Sequence, residues 1–584
     1  MARTSDDQSM TSPVKEEHND ADYYVPVNRR LVVAFALALS MFLSALDSTI
    51  VAVALPKIGS DFNNFEETSW VVTAYILTYT AFLPVVSKLT DIIGRKVILI
   101  SSILWFMAFS GACGGAKSMI ELIVFRALQG IGGAAIYSGV LTTISTMVPR
   151  EDVAKYTSML GASYALSSVA GPLIGGAIVS HIHWGWIFYI NLPTGLIAAV
   201  MIQLFLTYPK QTKINFTEVR NRVDWIGAFL LLAASLLLCL SLQIGGTPGY
   251  PWVSATVLAP ICVSAVLIPI FLWVETKVKE PVLPLSLFQF RFKPEAASTH
   301  VLKLDSDAAK NYVPPQNPNF SVMIAYTLGL GAAFFSINVD LPQRLQVVDS
   351  RSPIRAGISM LPILVPVGVI SPLAAILIVK TRSYRLLLWV SGALAPIGAG
   401  LISTLNGGAD VIGGARTSYP HLYGYEIILG LSLGMTITIS TIIIQMSVKP
   451  QSVGIATGFQ AFARTLGGLI GLAVSTAVLN ARVDSKLQSA FPDSHTRELI
   501  VEGPTAVIPS LSPQLQAEVR QAYNSGYSLV FIIIAVWFSA GILATVGMKH
   551  VMPPPAAKDA PANEKPIALQ DVEARDHASI HATD

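Results

Sequence analysis

Four ionisable residues stand inside long apolar stretches of this chain: Asp47, Arg126, Asp340 and Arg464. A charge in hydrocarbon costs about 2.5–3.5 kcal/mol on insertion scales, so each must face a cavity or a partner. Asp47 lies in LDSTIVAVALP, residues 46–56. Two readings are open: a solvated structural aspartate near the outer mouth, or a carboxylate that exchanges a proton or pairs with a cationic substrate. Arg126 lies in FRALQGIGG, where Arg126, Gln129, Gly130 and Gly133 fall on one helical stripe. A guanidinium is not neutralised at physiological pH, so it must be paired or hydrated. It is either half of a fixed structural pair or a field that helps a carboxylate or substrate load and release protons. Asp340 is expected at a span end, exposed to the interface. Arg464, in TGFQAFARTLGGLIG, is expected to cap a tight glycine contact near the cytoplasmic face.

Two further clusters concern movement. In SKLTDIIGRKV, residues 87–97, Asp91 stands four and five positions before Arg95 and Lys96, with Gly94 between. Such charges at helix ends form either a plain surface turn or a network that rearranges when bundles rock. Residues 161–176 read GASYALSSVAGPLIGG, with Gly161, Gly171, Pro172, Gly175 and Gly176 inside an apolar segment. Glycine costs about 1 kcal/mol and proline about 3 in a soluble helix interior. Within a bilayer they allow close backbone approach and a bend.

The elements that position these residues must be membrane helices. Of 584 residues, 52% are hydrophobic and 13% charged, with a mean hydropathy of +0.57. Soluble chains carry about 25% charge. A net charge of +3 gives no support to nucleic-acid binding. Cys113, Cys239 and Cys262 all fall in apolar segments and read as buried free thiols. No metal, phosphate or nucleotide spacing is present, so neither cofactor nor metal is expected. The polar first 28 residues show no cleavable signal, and the first span is expected to act as an uncleaved one.

About 20 apolar residues cross a bilayer. Fourteen segments qualify, near 31–54, 69–89, 97–116, 120–146, 155–180, 186–207, 224–244, 252–275, 320–342, 356–380, 385–405, 423–447, 453–479 and 525–547. Most of the 39 Lys and Arg residues fall on one side if both termini are cytoplasmic. Two loops are long: a cytoplasmic one at 276–319 and an outer one at 481–524 with room for an amphipathic helix.

On these motifs the chain, over about residues 30–547, resembles the major facilitator superfamily, and more narrowly its fourteen-span drug:proton antiporters. The LDxTIVxVALP run matches at Leu46 to Pro56 and places the family's acidic residue at Asp47. The loop pattern GxLxDxxGRK matches at 87–96, with Ser87 replacing the leading glycine, which leaves the tight helix contact there in question. RxxQG matches at Arg126, Gln129 and Gly130, where the family's arginine is linked to proton coupling. The antiporter motif falls on Gly161, Gly171, Pro172, Gly175 and Gly176, with Ser167 at one internal glycine position. Departures are Gly185 where relatives usually carry arginine, and a polar stretch at 292–316 that is either an inserted disordered cytoplasmic loop or an unspliced intron.

The resemblance implies an all-α polytopic fold of two six-helix halves plus two linking spans. The halves would be 30–207 and 320–547, the linking helices 208–275. Residues 1–29 and 548–584 would be disordered cytoplasmic tails, and 276–319 a cytoplasmic loop carrying the insertion. It implies a monomeric, non-enzymatic antiporter in the plasma membrane that exports a small organic solute against inward proton flow. Asp47, Arg126 and Gln129 would serve coupling and substrate contact, Asp91, Gly94, Arg95 and Lys96 the latch, and the fifth-span glycines a sealing hinge. Alternatives are a vacuolar proton antiporter for basic amino acids or another metabolite, and a non-transporting sensor or scaffold. An intramembrane enzyme would need clustered catalytic groups, and only His181 and His183 come near this, beside Trp184 and Trp186 as interface anchors.

Overall fold

The computed structural model describes residues 25–548 except 63, 65–66, 149, 207–222, 246–249, 279–280, 284, 289–318, 382, 406–418, 449–452, 489–490, 492, 494–495, 498–499 and 502–503. The two tails and the insertion at 292–316 lie outside the described residues.

Within the described residues the chain is built from helices. The first group comprises α1 (Val27–Asp61), α2 (Thr68–Ile93), α3 (Arg95–Gly114), α4 (Met119–Met147), α5 (Arg150–His181), the short α6 (Trp186–Tyr189) and α7 (Asn191–Phe205). Then come α8 (Trp225–Ile244) and α9 (Ala255–Glu275). The last group is α10 (Asn319–Val347), the short α11 (Pro353–Ile358), α12 (Leu361–Thr381), α13 (Tyr384–Ser403), α14 (Tyr419–Ser447), α15 (Val453–Leu487), the short α16 (Pro504–Val507) and α17 (Pro513–Ala544). Among the described residues, 13 helical segments are long and apolar enough to cross a membrane. To these is added α5, 32 residues long and unbroken across Pro172, which corresponds to the fifth expected span.

Local sequence explains where the helices turn. Ser118 caps α4, its side chain accepting from the Glu121 backbone N–H, and Asp224 caps α8 by accepting from Gly227. Between α2 and α3 the chain reverses at Gly94, whose φ of 112° suits a residue without Cβ. Several helices outrun their expected spans. α1 continues to Asp61, α15 to Leu487, and α17 begins at Pro513 rather than near 525, so much of the expected outer loop is helical. The expected sixth span is broken at Ile190 into α6 and α7.

Packing repeats itself. In the first group α1 packs on α5, α2 and α3 on α4, and α7 on α1 and α3. In the last group α10 packs on α15, α12 and α13 on α14, and α17 on α10 and α13. The two groups meet where α5 packs on α12 and where α15 crosses α2 and α4. α8 and α9 pack on each other, and α8 touches α2 and α15 from outside. Burial follows this order: the apolar window of α14 is 72% buried and that of α9 only 17%. Val263, Val266, Ile270 and Trp273 of α9 point outward, as side chains do when the bilayer is their solvent. Cys262 is likewise exposed, which corrects its expected burial, because it sits on that outward helix; Cys113 and Cys239 are buried.

Candidate functional site

The centre of the first group holds a closed polar cluster. Gly130 and Gly133 let α4 lie against α2: a Cβ at Gly130 would collide with the Tyr75 carbonyl and Thr78, and one at Gly133 with the Tyr75 hydroxyl. That approach aims Arg126 and Gln129 inward at α1. Arg126 Nη1 donates to Asp47 Oδ2 at 2.5 Å and to Gln129 Oε1 at 2.7 Å, while Nε donates to the Val71 carbonyl at 3.0 Å. Gln129 Nε2 donates to Asp47 Oδ1 at 2.9 Å. The guanidinium also lies over the Tyr75 ring, 4.2 Å from its centroid. Asp47, Arg126 and Gln129 are all 0% exposed.

Asn191, a residue missed at the sequence level, completes the shell. Its Nδ2 donates to Asp47 Oδ1 at 3.0 Å and to Ser110 Oγ at 2.9 Å, and Ser110 in turn donates to the Phe188 carbonyl. Asn191 opens α7 where the sixth span breaks, so the break itself delivers the amide to Asp47. The signal was present: an asparagine between apolar residues in FYINLP is expensive unless it has partners.

Three donors converge on Asp47, and among the described residues no acceptor is hydrogen-bonded to it. The cluster is thus a buried ion pair with its hydrogen bonds largely met. Among the described residues, two atoms of the cluster, Arg126 Nη2 and Asn191 Oδ1, have no hydrogen-bond partner. Adding a proton to Asp47 removes the charge that holds Arg126 and turns an acceptor into a donor facing donors. The whole cluster must then rearrange.

The fifth-span glycines lie beside this cluster. A Cβ at Gly171 would collide with Thr49, and one at Gly175 would lie 2.9 Å from Ile50 Cγ1, two and three residues beyond Asp47 on α1. Gly161, about three turns before Gly171 on α5, lies against α12, where an added Cβ would stand 3.4 Å from the Ser371 side chain. Gly176 is buried, and the Pro172 side chain lies outside the described residues. The motif therefore presses α5 chiefly onto α1, and at Gly161 onto the other group.

At the α2–α3 turn, Lys96 Nζ donates to the Gln203 carbonyl near the end of α7, at 2.8 Å. The Asp91 side chain lies outside the described residues, and Arg95 is partly buried. Ser87 forms the close contact that its substitution for glycine had put in question. Its Oγ donates to the Gly454 carbonyl at 2.5 Å, and Gly458 on α15 supplies the missing space.

Two expectations are corrected. Asp340 is not at an exposed end but 3% exposed within α10, because that helix runs on to Val347 and carries it inside. Arg464 does not merely cap a glycine contact near the cytoplasmic face; its guanidinium reaches Tyr137 of α4. Buried charges missed from sequence are Arg344, 3.7 Å from Asp349, and Glu426, 0% exposed in α14. Among the described residues no group of three or more His, Cys, Asp or Glu could hold a metal ion.

The family model described as Major Facilitator Superfamily matches residues 37–226. An MFS-type transporter, FPY5 of Fusarium mangiferae, is 34% identical, covering 88% of this chain and 82% of the relative. An MFS-type efflux pump, MFS1 of Arthroderma benhamiae, is 30% identical over 93% of this chain and 95% of its own length. The multidrug transporter protein MdtP of Bacillus subtilis is 30% identical over 89% and 92%. Among solved structures, the human organic anion transporter MFSD10 (TETRAN) matches with a TM-score of 0.53 at 12% identity, covering 88% of this chain and all of that one.

Proposed function

The chain belongs to the major facilitator superfamily, and on that footing we propose that it is a proton-coupled antiporter exporting small organic solutes by alternating access. Membership makes it a multi-pass membrane transporter and not an enzyme, and relatives named as efflux pumps support the export direction. The observation that carries proton coupling is the buried Asp47–Arg126–Gln129–Asn191 cluster. A buried pair of this kind gives up about 3–5 kcal/mol when one partner is lost. Protonation of Asp47 spends that energy on rearranging α1 against α4 and α7. Gly171 and Gly175 pass the movement from α1 to α5, and α5 meets α12 of the other half at Gly161. The two halves, 30–207 and 320–547, then rock against each other, with Ser87–Gly454 and the Asp91, Arg95 and Lys96 turn holding the cytoplasmic side. We place both termini in the cytoplasm, as the Lys/Arg distribution favours, and the protein in the plasma membrane as a monomer.

Inside-out vesicles with an acid lumen test this. They should concentrate at least one of fluorescein, rhodamine 6G or Nile red, and lose it when nigericin collapses the gradient. Accumulation that ignores nigericin would contradict proton antiport. A vacuolar antiporter would instead show its signal in isolated vacuoles.

A further inference from the structure

Arg464 is a charge that the coupling cluster does not use. From α15 its guanidinium donates to the Tyr137 hydroxyl of α4, so it crosses between the two groups of helices. The Tyr137 ring lies 5.5 Å from the Arg464 guanidinium. Tyr137 meets Tyr79 of α2 edge-on at 6.1 Å, and Tyr79 stacks on Tyr75 at 5.9 Å. Tyr75 is the ring beneath Arg126. Tyr164 of α5 also stands close enough to Arg464 to interact with it electrostatically.

The two intramembrane arginines are treated differently by their surroundings. Arg126 has Asp47. Among the described residues no carboxylate pairs with Arg464, whose neighbours are phenols. A ring face returns only about 0.5–2 kcal/mol to a cation, and a neutral hydroxyl accepts a hydrogen bond but supplies no countercharge. Arg464, Tyr79 and Tyr164 are each partly rather than fully buried, although four helices from both halves surround them. Each therefore keeps part of its side-chain surface unpacked by protein. The backbone behind Arg464 is fixed, because Gly331 of α10 packs directly against its carbonyl.

We propose that Arg464, with Tyr79, Tyr137 and Tyr164, is the recognition site for an organic anion with a flat, apolar or aromatic body. The guanidinium takes the oxyanion through its planar fork, and the tyrosine rings stack on the body and donate hydroxyls to its edge. The ring row from Tyr137 through Tyr79 to Tyr75 then places the bound anion in contact, side chain by side chain, with the Asp47–Arg126 cluster. The assignment rests on the transporter reading above but not on its proton coupling.

The test is equilibrium binding to the full chain in lipid nanodiscs without any gradient, so that failed proton coupling leaves the readout untouched. The probes are 1-naphthoate and its neutral isostere 1-naphthamide. The wild type should prefer the acid by about tenfold or more, the least expected of a charged hydrogen-bonded pair. Arg464→Gln should erase the preference while still binding the amide, and Arg464→Lys should keep part of it. Absent acid binding, equal binding of acid and amide, or a preference that survives Arg464→Gln overturns the proposal. If Arg464→Gln does not fold, Arg464→Lys carries the test, and an acid preference undiminished from wild type overturns the proposal.

Discussion

At the residue scale, Asp47 is surrounded on both carboxylate oxygens by donors from α4 and α7. Its charge was legible in the sequence, and so was the stripe of Arg126 and Gln129 on α4. What could not be read was that one carboxylate receives donors from α4 and α7 together, since Asn191 lies 144 residues away in the chain. Asn191→Ala removes a hydrogen bond to a charged group, which is worth about 1.5–3 kcal/mol. Transport should fall by about tenfold or more, and pH should then affect the variant differently from wild type. A variant with wild-type rates and pH profile would make Asn191 mere packing. Asp340 and Arg464 teach the complementary lesson. Their types were evident, but burial depends on where helices end, and hydropathy alone set those ends too early for α10.

At the element scale, glycine patterns specify which helices touch. Gly171 and Gly175 fit Thr49 and Ile50 so closely that no side chain fits between α5 and α1. Gly171→Val should therefore abolish transport while the protein still reaches the membrane, checked by efflux against surface labelling. Full transport with valine would reduce the motif to ordinary packing. The contact partner was not visible beforehand, because a glycine stripe announces proximity without naming the neighbour. Ser87 makes the same point: its departure from the family pattern is met by Gly458 on the distant α15, so the close contact survives with the small residue moved to the other side.

At the scale of the whole molecule, composition and four ordered motifs were enough to establish an all-helical membrane bundle and its family. The long α17, the broken sixth span and the outward face of α9 required the assembled structure, because they follow from what each helix packs against. Alternating access requires the α2–α15 contact to open. A Ser87→Cys, Gly454→Cys pair should be cross-linked by oxidant, arrest efflux, and recover on reduction. Efflux that continues in the cross-linked protein would place the moving interface elsewhere. The central claim is that protonation of Asp47 drives the cycle, and it is tested most directly by proton movement. Asp47→Asn in proteoliposomes loaded with a pH dye should show no substrate-induced proton flux, while the exchange of labelled for unlabelled substrate continues. Proton flux equal to that of wild type would contradict the account.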